Sequence, residues 1–144
     1  MNLRRIAIAG VLVLAAFILV ACSSTSRTFN KDLTGVSTFS FGKDAPITAD
    51  PIEERIIKVM EAKGYTYVPN DETGIVIRWE SSEGNPFNNT RKVWATHDGK
   101  PVMAAEAENK GFGTLIAPDA AQSGLTNSVV NAIEKNIPKR IPTP

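Results

Sequence analysis

The sequence is short of the residues that build most metal and disulfide sites. Its 144 residues include one cysteine and one histidine. A single cysteine excludes an internal disulfide framework and any metal site made of several thiolates. A single histidine excludes sites that need two or more imidazole ligands. We therefore expect neither a metal nor a cofactor, and we expect stability to come from packing.

An excess of charge of either sign is also missing. The chain has 16 lysines and arginines against 15 aspartates and glutamates, a formal charge of +1 at pH 7. Proteins that bind nucleic acid normally carry a basic patch or stripe, so this balance gives no support for a nucleic-acid partner. At about 100–200 residues per domain, the length allows one globular unit.

The first 21 residues differ in composition from the rest. Arg4 and Arg5 precede an uncharged apolar run of 16 residues, Ile6–Ala21. A basic start, an apolar stretch and a small residue before the cut are the layout of a secretory signal peptide. A spanning helix would need about 18 or more apolar residues. Length alone leaves both a signal peptide and a membrane anchor open.

The end of this run, Leu-Val-Ala-Cys at positions 19–22, resembles the lipobox of bacterial lipoproteins. In those proteins the peptide is cut before the cysteine, the thiol is diacylated and the new amino group is acylated. The resemblance implies cleavage between Ala21 and Cys22 and lipid attachment, palmitate included, at Cys22. Several acyl chains hold a protein stably on a membrane. The alternative is an incidental thiol at the end of an uncleaved anchor helix.

The residue after the cysteine bears on localisation. Gram-negative lipoproteins with aspartate there tend to stay in the inner membrane, and this chain has Ser23. The resemblance therefore implies the periplasmic side of the outer membrane, with inner-membrane retention as the alternative. We expect the polar segment 22–33 to be a flexible tether, 34–138 to form a single domain, and 139–144 to be a proline-rich tail.

Residue patterns predict the elements of this domain. Alternating phenylalanines predict a strand over 36–41. Asp50 as N-cap, Pro51 at the first helical position and Gly64 as terminator predict a helix over 51–63. Alternation predicts a half-buried antiparallel strand over 74–80, with Ile75, Ile77 and Trp79 on one face, preceded by a short strand over 65–68.

The second half of the domain is predicted to form a loop, a hairpin and a helix. The composition of 81–90 is typical of a loop. Asp98-Gly99 is a hairpin turn between strands over 91–96 and 101–108. Small residues on one face of the second arm would let a helix approach closely. The last helix carries apolar residues at spacings of three and four, with Asp119 or Ser123 as its cap and Pro138 as its stop.

This order predicts an α+β fold, a mostly antiparallel sheet of about four to five strands with two helices packed on one face. The sequence of a Phe-rich strand (TFSF), a helix (DPIEERIIKVMEAKGY), a strand (GIVIRWE), a hairpin (KVWATHDGKPVMAAEAE) and a closing helix resembles the bacterial lipoproteins of the domain-of-unknown-function family four-one-three-six. The resemblance covers most of residues 34–140. It implies an outer-membrane lipoprotein with an α+β domain and no assigned activity.

No pattern that would support catalysis stands out, and we expect no enzyme. His97 precedes Asp98, but neighbours on a strand point to opposite faces, so His97 is interpreted as a surface residue beside the turn. Glu106 and Glu108 share a face at roughly 6–7 Å along the chain. Paired carboxylates at such distances can hydrolyse glycosides, and any solvated strand face also has this spacing. The glycines at 111 and 113 lack the rest of a phosphate loop.

Two residues are candidates for contact with a partner. Trp94 alternates with Val93 and Ala95, so it is exposed if those two point inward, and Phe87 lies between polar neighbours in the predicted loop. The favoured hypothesis is a non-catalytic envelope lipoprotein that binds a protein or glycan. The alternatives are an inhibitor or immunity-type lipoprotein that uses loop 81–90, and, with less support, a hydrolase that uses Glu106 or Glu108.

Overall fold

The computed structural model describes residues 22–30, 32–43, 51–85, 88–111 and 118–142. The elements, in chain order, are β1 (Cys22–Thr28), β2 (Thr38–Phe41), α1 (Ile52–Ala62), β3 (Thr66–Tyr67), β4 (Ile75–Asn85), β5 (Asn88–His97), β6 (Lys100–Lys110) and α2 (Pro118–Asn136).

Six strands form one mixed sheet in the order β1-β6-β5-β4-β2-β3. The pairings β1–β6, β6–β5 and β5–β4 are antiparallel. β2 runs parallel to both β3 and β4. The α+β class with two helices is confirmed. The sheet has six strands instead of the predicted four to five, because β1 adds an edge strand. The β2–β3 pairing is parallel because β2, α1 and β3 form a β-α-β unit, and such a crossover joins parallel strands.

The hydrophobic core lies between one face of the sheet and the helices. Alternate residues of the strands are buried on this face, including Phe39, Ile75 and Ile77, as predicted from alternation. Ile56 of α1 and Leu125 of α2 belong to the same hydrophobic cluster. We call this the inner face of the sheet. The opposite, outer face has no helix packed on it among the described residues.

β6 presents small residues to α2. Ala105 and Ala107 are buried on the inner face together with Met103, and α2 contacts β6 more than any other strand. The prediction that small side chains in this arm allow a helix to approach the sheet closely is confirmed. The Asp98-Gly99 turn is also confirmed: both residues have positive φ, 51° and 71°, as a type I′ hairpin requires.

The helices begin and end close to the predicted residues. α1 begins at Ile52 and ends at Ala62, and Gly64 follows with φ 94°. The N-cap is Pro51, which was predicted at the first helical position, and the predicted cap, Asp50, lies outside the described residues. α2 has Asp119 in its first turn, while Ser123 lies within the helix. Pro138 follows the helix as predicted, with Ile137 buried just before it.

The predicted loop over 81–90 is wrong. β4 continues to Asn85 and β5 begins at Asn88, so the two strands form a long hairpin. Ser81 pairs with Arg91 and Ser82 with Thr90 before the register shifts. Polar composition favours a loop only where the backbone has no partner, and here the neighbouring strand supplies the backbone hydrogen bonds.

The flexible tether expected over 22–33 is also wrong for its first part. Residues 22–28 form β1, the edge strand, which pairs with β6 from Cys22 opposite Asn109 to Thr28 opposite Met103. Its end is fixed by a hydrogen bond of 2.6 Å from the Thr28 hydroxyl to Asn136 Oδ1. Serine and threonine form few core contacts, but backbone pairing needs none. The first described residue, Cys22, is therefore already paired in the sheet.

The start of β4 is fastened to β2 by a polar turn. Asp71 accepts hydrogen bonds from the Thr38 and Thr73 hydroxyls, both 2.6 Å, and these bonds lower the pKa of Asp71 to about 2. Gly74 follows the turn, where a Cβ atom would lie 2.4 Å from the Thr38 carbonyl oxygen. Only glycine allows the two backbones to approach this closely.

Candidate functional site

The outer face of the sheet carries a cross-strand row of four residues. Arg27 of β1 lies opposite Ala104 of β6, Ala104 lies opposite Trp94 of β5, and Trp94 lies opposite Arg78 of β4. Cross-strand neighbours on one face are close enough for their side chains to interact. The alanine leaves a gap in this row between the tryptophan and Arg27.

This gap is the centre of an open cavity of about 600 Å³. Its outer-face side chains are Thr25, Arg27, Lys92, Trp94, Ala104 and Glu106. We call this cavity the Trp94 groove. Ala104 forms the floor, the indole stands on one side and Arg27 on the other. Because one strand separates β5 from β1, the backbones that bear these two walls are about 9–10 Å apart.

Charged and polar side chains surround the indole of Trp94 among the described residues of the groove. Lys92 forms an exposed ion pair with Glu80, with Nζ and Oε1 3.5 Å apart. Arg27 is exposed and forms no ion pair with any other residue that the structure describes. Glu106 is exposed and lies opposite Lys92 and Thr25. The groove thus offers two cations, one carboxylate, a hydroxyl and a half-buried indole.

The sequence predicted that Trp94 lies on the exposed face if Val93 and Ala95 point inward, and both do. Val93 and Ala95 are buried on the inner face, and Trp94 lies half-buried on the outer face. The other tryptophan, Trp79, is 3% exposed and belongs to the core. Phe87 lies outside the described residues. The residues that surround Trp94 were not found from the sequence, since Arg27 reaches the groove only because β1 is a strand.

The paired carboxylates do share a face. Glu106 and Glu108 both lie on the outer face of β6, and Glu108 forms an ion pair of 2.8 Å with Lys110. His97 is partly buried: its side chain is 22% exposed and lies 3.5 Å from Asp98 and 3.1 Å from the Gly74 carbonyl oxygen. Through the contact with Gly74, His97 holds the end of β5 against the start of β4.

A buried arginine lies on the inner face beneath the groove's strands. Arg91 is 1% exposed and hydrogen-bonded to Thr126 and Gln122 of α2. Its guanidinium carbon lies 5.8 Å from the centre of the Trp79 ring, within cation-π distance. Arg91 shares the inner face with Val93, which lies two residues further along β5. These contacts tie β5 to α2 and support the strand that bears Trp94.

A second cavity of about 340 Å³ lies at the opposite end of the sheet from Cys22. Its lining includes Asp32, Tyr65 and Lys139. The Tyr65 hydroxyl donates to the Pro138 carbonyl oxygen at 3.2 Å, and burial raises the pKa of Tyr65. Hydrogen bonds from Thr34 lower the pKa of Asp32. Its polar groups join the 32–34 turn and the C-terminal segment to the domain.

The described residues contain neither a metal-binding cluster nor a membrane-spanning helix. The described part of the chain contains no cluster of three or more histidine, cysteine, aspartate or glutamate residues able to hold a metal. Within the same residues, no helix combines the length and apolar character needed to cross a bilayer. Cys22 stands at the first position of β1, and Ala21 lies outside the described residues.

Comparison with known proteins gives a fold and no family. No protein-family model matches the chain, and no curated protein matches it. Among solved structures, a variant of the PelC dodecamer from Paraburkholderia phytofirmans has a TM-score of 0.56 at 10% identity, covering 83% of this chain and 99% of that one.

A second PelC dodecamer from the same organism has a TM-score of 0.53 at 11% identity, with the same coverage of 83% and 99%. A PDZ domain protein from Parabacteroides distasonis has a TM-score of 0.43 at 9% identity and covers 85% of this chain and 38% of that one. At such identities the likeness to PelC concerns the arrangement of helices and strands alone.

Proposed function

We propose that this chain is a non-catalytic lipoprotein, anchored through Cys22 to the periplasmic side of the outer membrane, that binds an envelope protein or glycan. The sequence support is the lipobox at 19–22 and Ser23 after it. The binding surface is the Trp94 groove. The anchor and the groove share β1, since Thr25 and Arg27 follow Cys22 along the same strand.

The position of Trp94 is the observation that carries the binding role. A tryptophan in a sheet normally serves the core or a cross-strand pair. Here the core of this part of the sheet is filled from the other face by Val93 and Ala95, and Trp94 borders an open groove. A large aromatic side chain beside open space and flanked by charged groups is typical of a binding site.

The inhibitor hypothesis required a loop over 81–90, but 81–85 and 88–90 lie in the paired strands β4 and β5. The hydrolase hypothesis is less supported than binding, since one of its two carboxylates, Glu108, is in contact with Lys110. Neither needs Trp94, whereas a binding function does.

Acylation is tested by replacing Cys22 with alanine. We expect the wild-type protein to incorporate radiolabelled palmitate and to be shortened by 21 residues. The Cys22→Ala variant is expected to stay uncleaved, without label, and in the inner membrane. A Ser23→Asp variant serves as control: it should be labelled and cleaved but retained in the inner membrane. Labelling or cleavage of Cys22→Ala would contradict the lipobox interpretation.

Binding is tested in cells by photo-crosslinking. A photoreactive phenylalanine derivative at Trp94, which keeps an aromatic face at this position, is expected to form a crosslinked product in the envelope. The matched control places the same residue at Glu54, an exposed position of α1, where we expect no product. Equal products at both positions, or a product at Glu54 only, would contradict the assignment of the groove as the binding surface.

A further inference from the structure

We propose that the Trp94 groove binds a pyranose sugar that carries a carboxylate, so that the partner is an acidic glycan. This inference rests on the binding function proposed above and names its ligand class. It follows from the shape of the groove and from its mixture of charges.

The width of the groove fits one ring. Its two walls, Trp94 and Arg27, rise from backbones about 9–10 Å apart. A ring in van der Waals contact with both walls needs about 7–8 Å between them, since each contact takes about 3.5–4.0 Å. Ala104 contributes only a methyl group to the floor. A larger residue at this position would fill the space that the ring would occupy.

The walls suit a sugar with an acidic group. The face of the indole is electron-rich, so it attracts the C–H groups on one face of a pyranose. Arg27 has no ion pair among the described residues and presents a planar guanidinium that can bind a carboxylate through two hydrogen bonds. The two groups stand on opposite sides of the groove, as a ring held between them requires.

The remaining groups suit hydroxyls. Glu106 accepts hydrogen bonds, and the Thr25 hydroxyl both accepts and donates them. Glu106 would repel a phosphate carrying two negative charges, so it disfavours a nucleotide. A uronic acid brings one negative charge for Arg27 and several hydroxyl donors for Glu106. The groove's charges therefore complement an acidic sugar better than a phosphate.

A protein partner is less well matched to this surface. Stable protein interfaces bury about 800 Å² per partner around an apolar and aromatic centre. Of the described residues that line the groove on the outer face, only Trp94 and Ala104 are apolar. The large apolar side chains that are most exposed within the described residues, Phe29, Val68 and Ile141, do not line it. A second copy facing the groove would bring two sets of Arg27 and Lys92 together.

The test compares two matched tetrasaccharides, tetragalacturonate and its neutral, carboxyl-reduced form, by calorimetric titration of the membrane-extracted protein in detergent. We expect the acidic sugar to bind at least tenfold more tightly than the neutral one. Replacing Trp94 by alanine should weaken binding of the acidic sugar at least tenfold, and Trp94→Phe, which keeps an aromatic face, should restore most of it.

Arg27→Gln should weaken the acidic sugar about tenfold and leave the neutral sugar unchanged. The matched control is Arg78→Gln, an arginine of the same row whose side chain lies over Gly42 and donates to Thr96. It should change binding less than twofold. Ala104→Leu should abolish binding while the melting temperature stays unchanged.

Three results would overturn the inference. They are equal binding of the acidic and neutral sugars, an equal loss from Arg78→Gln and Arg27→Gln, and no binding of either sugar. If neither sugar binds but the Trp94 photo-crosslink captures a protein or a second copy, the acidic-glycan inference fails while the binding function stands. If neither sugar binds and Trp94 forms no crosslinked product, both the acidic-glycan inference and the proposed binding function fail.

Discussion

Two alanines of β6, on opposite faces of the same strand, allow a matched test of how α2 packs on the sheet. Ala107 is 0% exposed and faces the core, whereas Ala104 lies half-buried on the floor of the Trp94 groove. Valine at either position adds two carbon atoms and favours the strand conformation equally. The two variants, Ala107→Val and Ala104→Val, therefore differ only in which face receives the added volume.

The expected magnitudes follow from the burial of each site. Overfilling a closely packed core costs about 1–3 kcal/mol, and Ala107 is fully buried, so we expect about 2 kcal/mol of destabilisation. For a chain of this size that corresponds to roughly 6–12 °C in melting temperature. Ala104 faces open space, where a change is expected to stay within about 0.5 kcal/mol, with a small gain from the strand propensity of valine.

The assay is urea unfolding of residues 22–144 with Cys22 replaced by alanine, and circular dichroism monitors the transition. The slope of the transition should be the same in both variants, so that midpoints report stability. If Ala107→Val and Ala104→Val unfold at the same midpoint, the inner face is not closely packed. The explanation of the small residues in this strand would then be refuted.

Three further predictions concern two residues at the turn before β4 and one position in α2. Because hydrogen bonds from Thr38 and Thr73 hold the pKa of Asp71 at about 2 instead of 3.8, the folded state gains stability from Asp71 above pH 3.8 and loses it as the pH falls toward 2. Asp71→Asn should therefore have its largest effect on the urea midpoint at pH 5 and a smaller one at pH 2.5. Gly74→Ala should destabilise the protein by about 1–3 kcal/mol, since the added Cβ meets a backbone oxygen. Gly124→Ala should stabilise it by about 0.5–1 kcal/mol, because Gly124 lies within α2 and an added Cβ meets nothing within 4 Å.

Each of these has a clear contrary result. An effect of Asp71→Asn that is constant between pH 5 and pH 2.5 would mean that the turn does not hold the carboxylate in its charged form. For the glycines, the sign is decisive: a stable Gly74→Ala variant would show that the contact with Thr38 relaxes easily, and an unstable Gly124→Ala variant would show that this face of α2 has no space.

The elements with strong local patterns were predictable from the sequence. α1 has an apolar stripe and terminates at Gly64, and the β5–β6 hairpin has the Asp98-Gly99 turn that its geometry demands. Alternation also placed Trp79 on one face with Ile75 and Ile77, and it made the exposure of Trp94 depend on the direction of Val93 and Ala95. In each case the information lies within about a dozen neighbouring residues, where a single face is either buried or not.

The elements that depend on distant partners were not predictable. β1 consists mainly of serine and threonine, and its strand conformation comes from hydrogen bonds to β6, some 80 residues later. The same holds for 81–85: its composition predicts a loop, and pairing with β5 makes it a strand. Arg27 and Ala104 belong to one groove only through this long-range register, so the groove could not be assembled from Trp94 alone.

The start of β1 at Cys22 holds the groove close to the bilayer. With Cys22 acylated as we propose, Arg27 stands five residues along the strand, at most about 17 Å from the lipid. Because β1 is already extended, separating its seven residues from the sheet would add no length to the anchor. Separation would instead remove the Arg27 wall from the groove. A glycan that contacts both Arg27 and Trp94 would therefore strengthen the attachment of β1 to the sheet, and with it the attachment of the domain to the membrane.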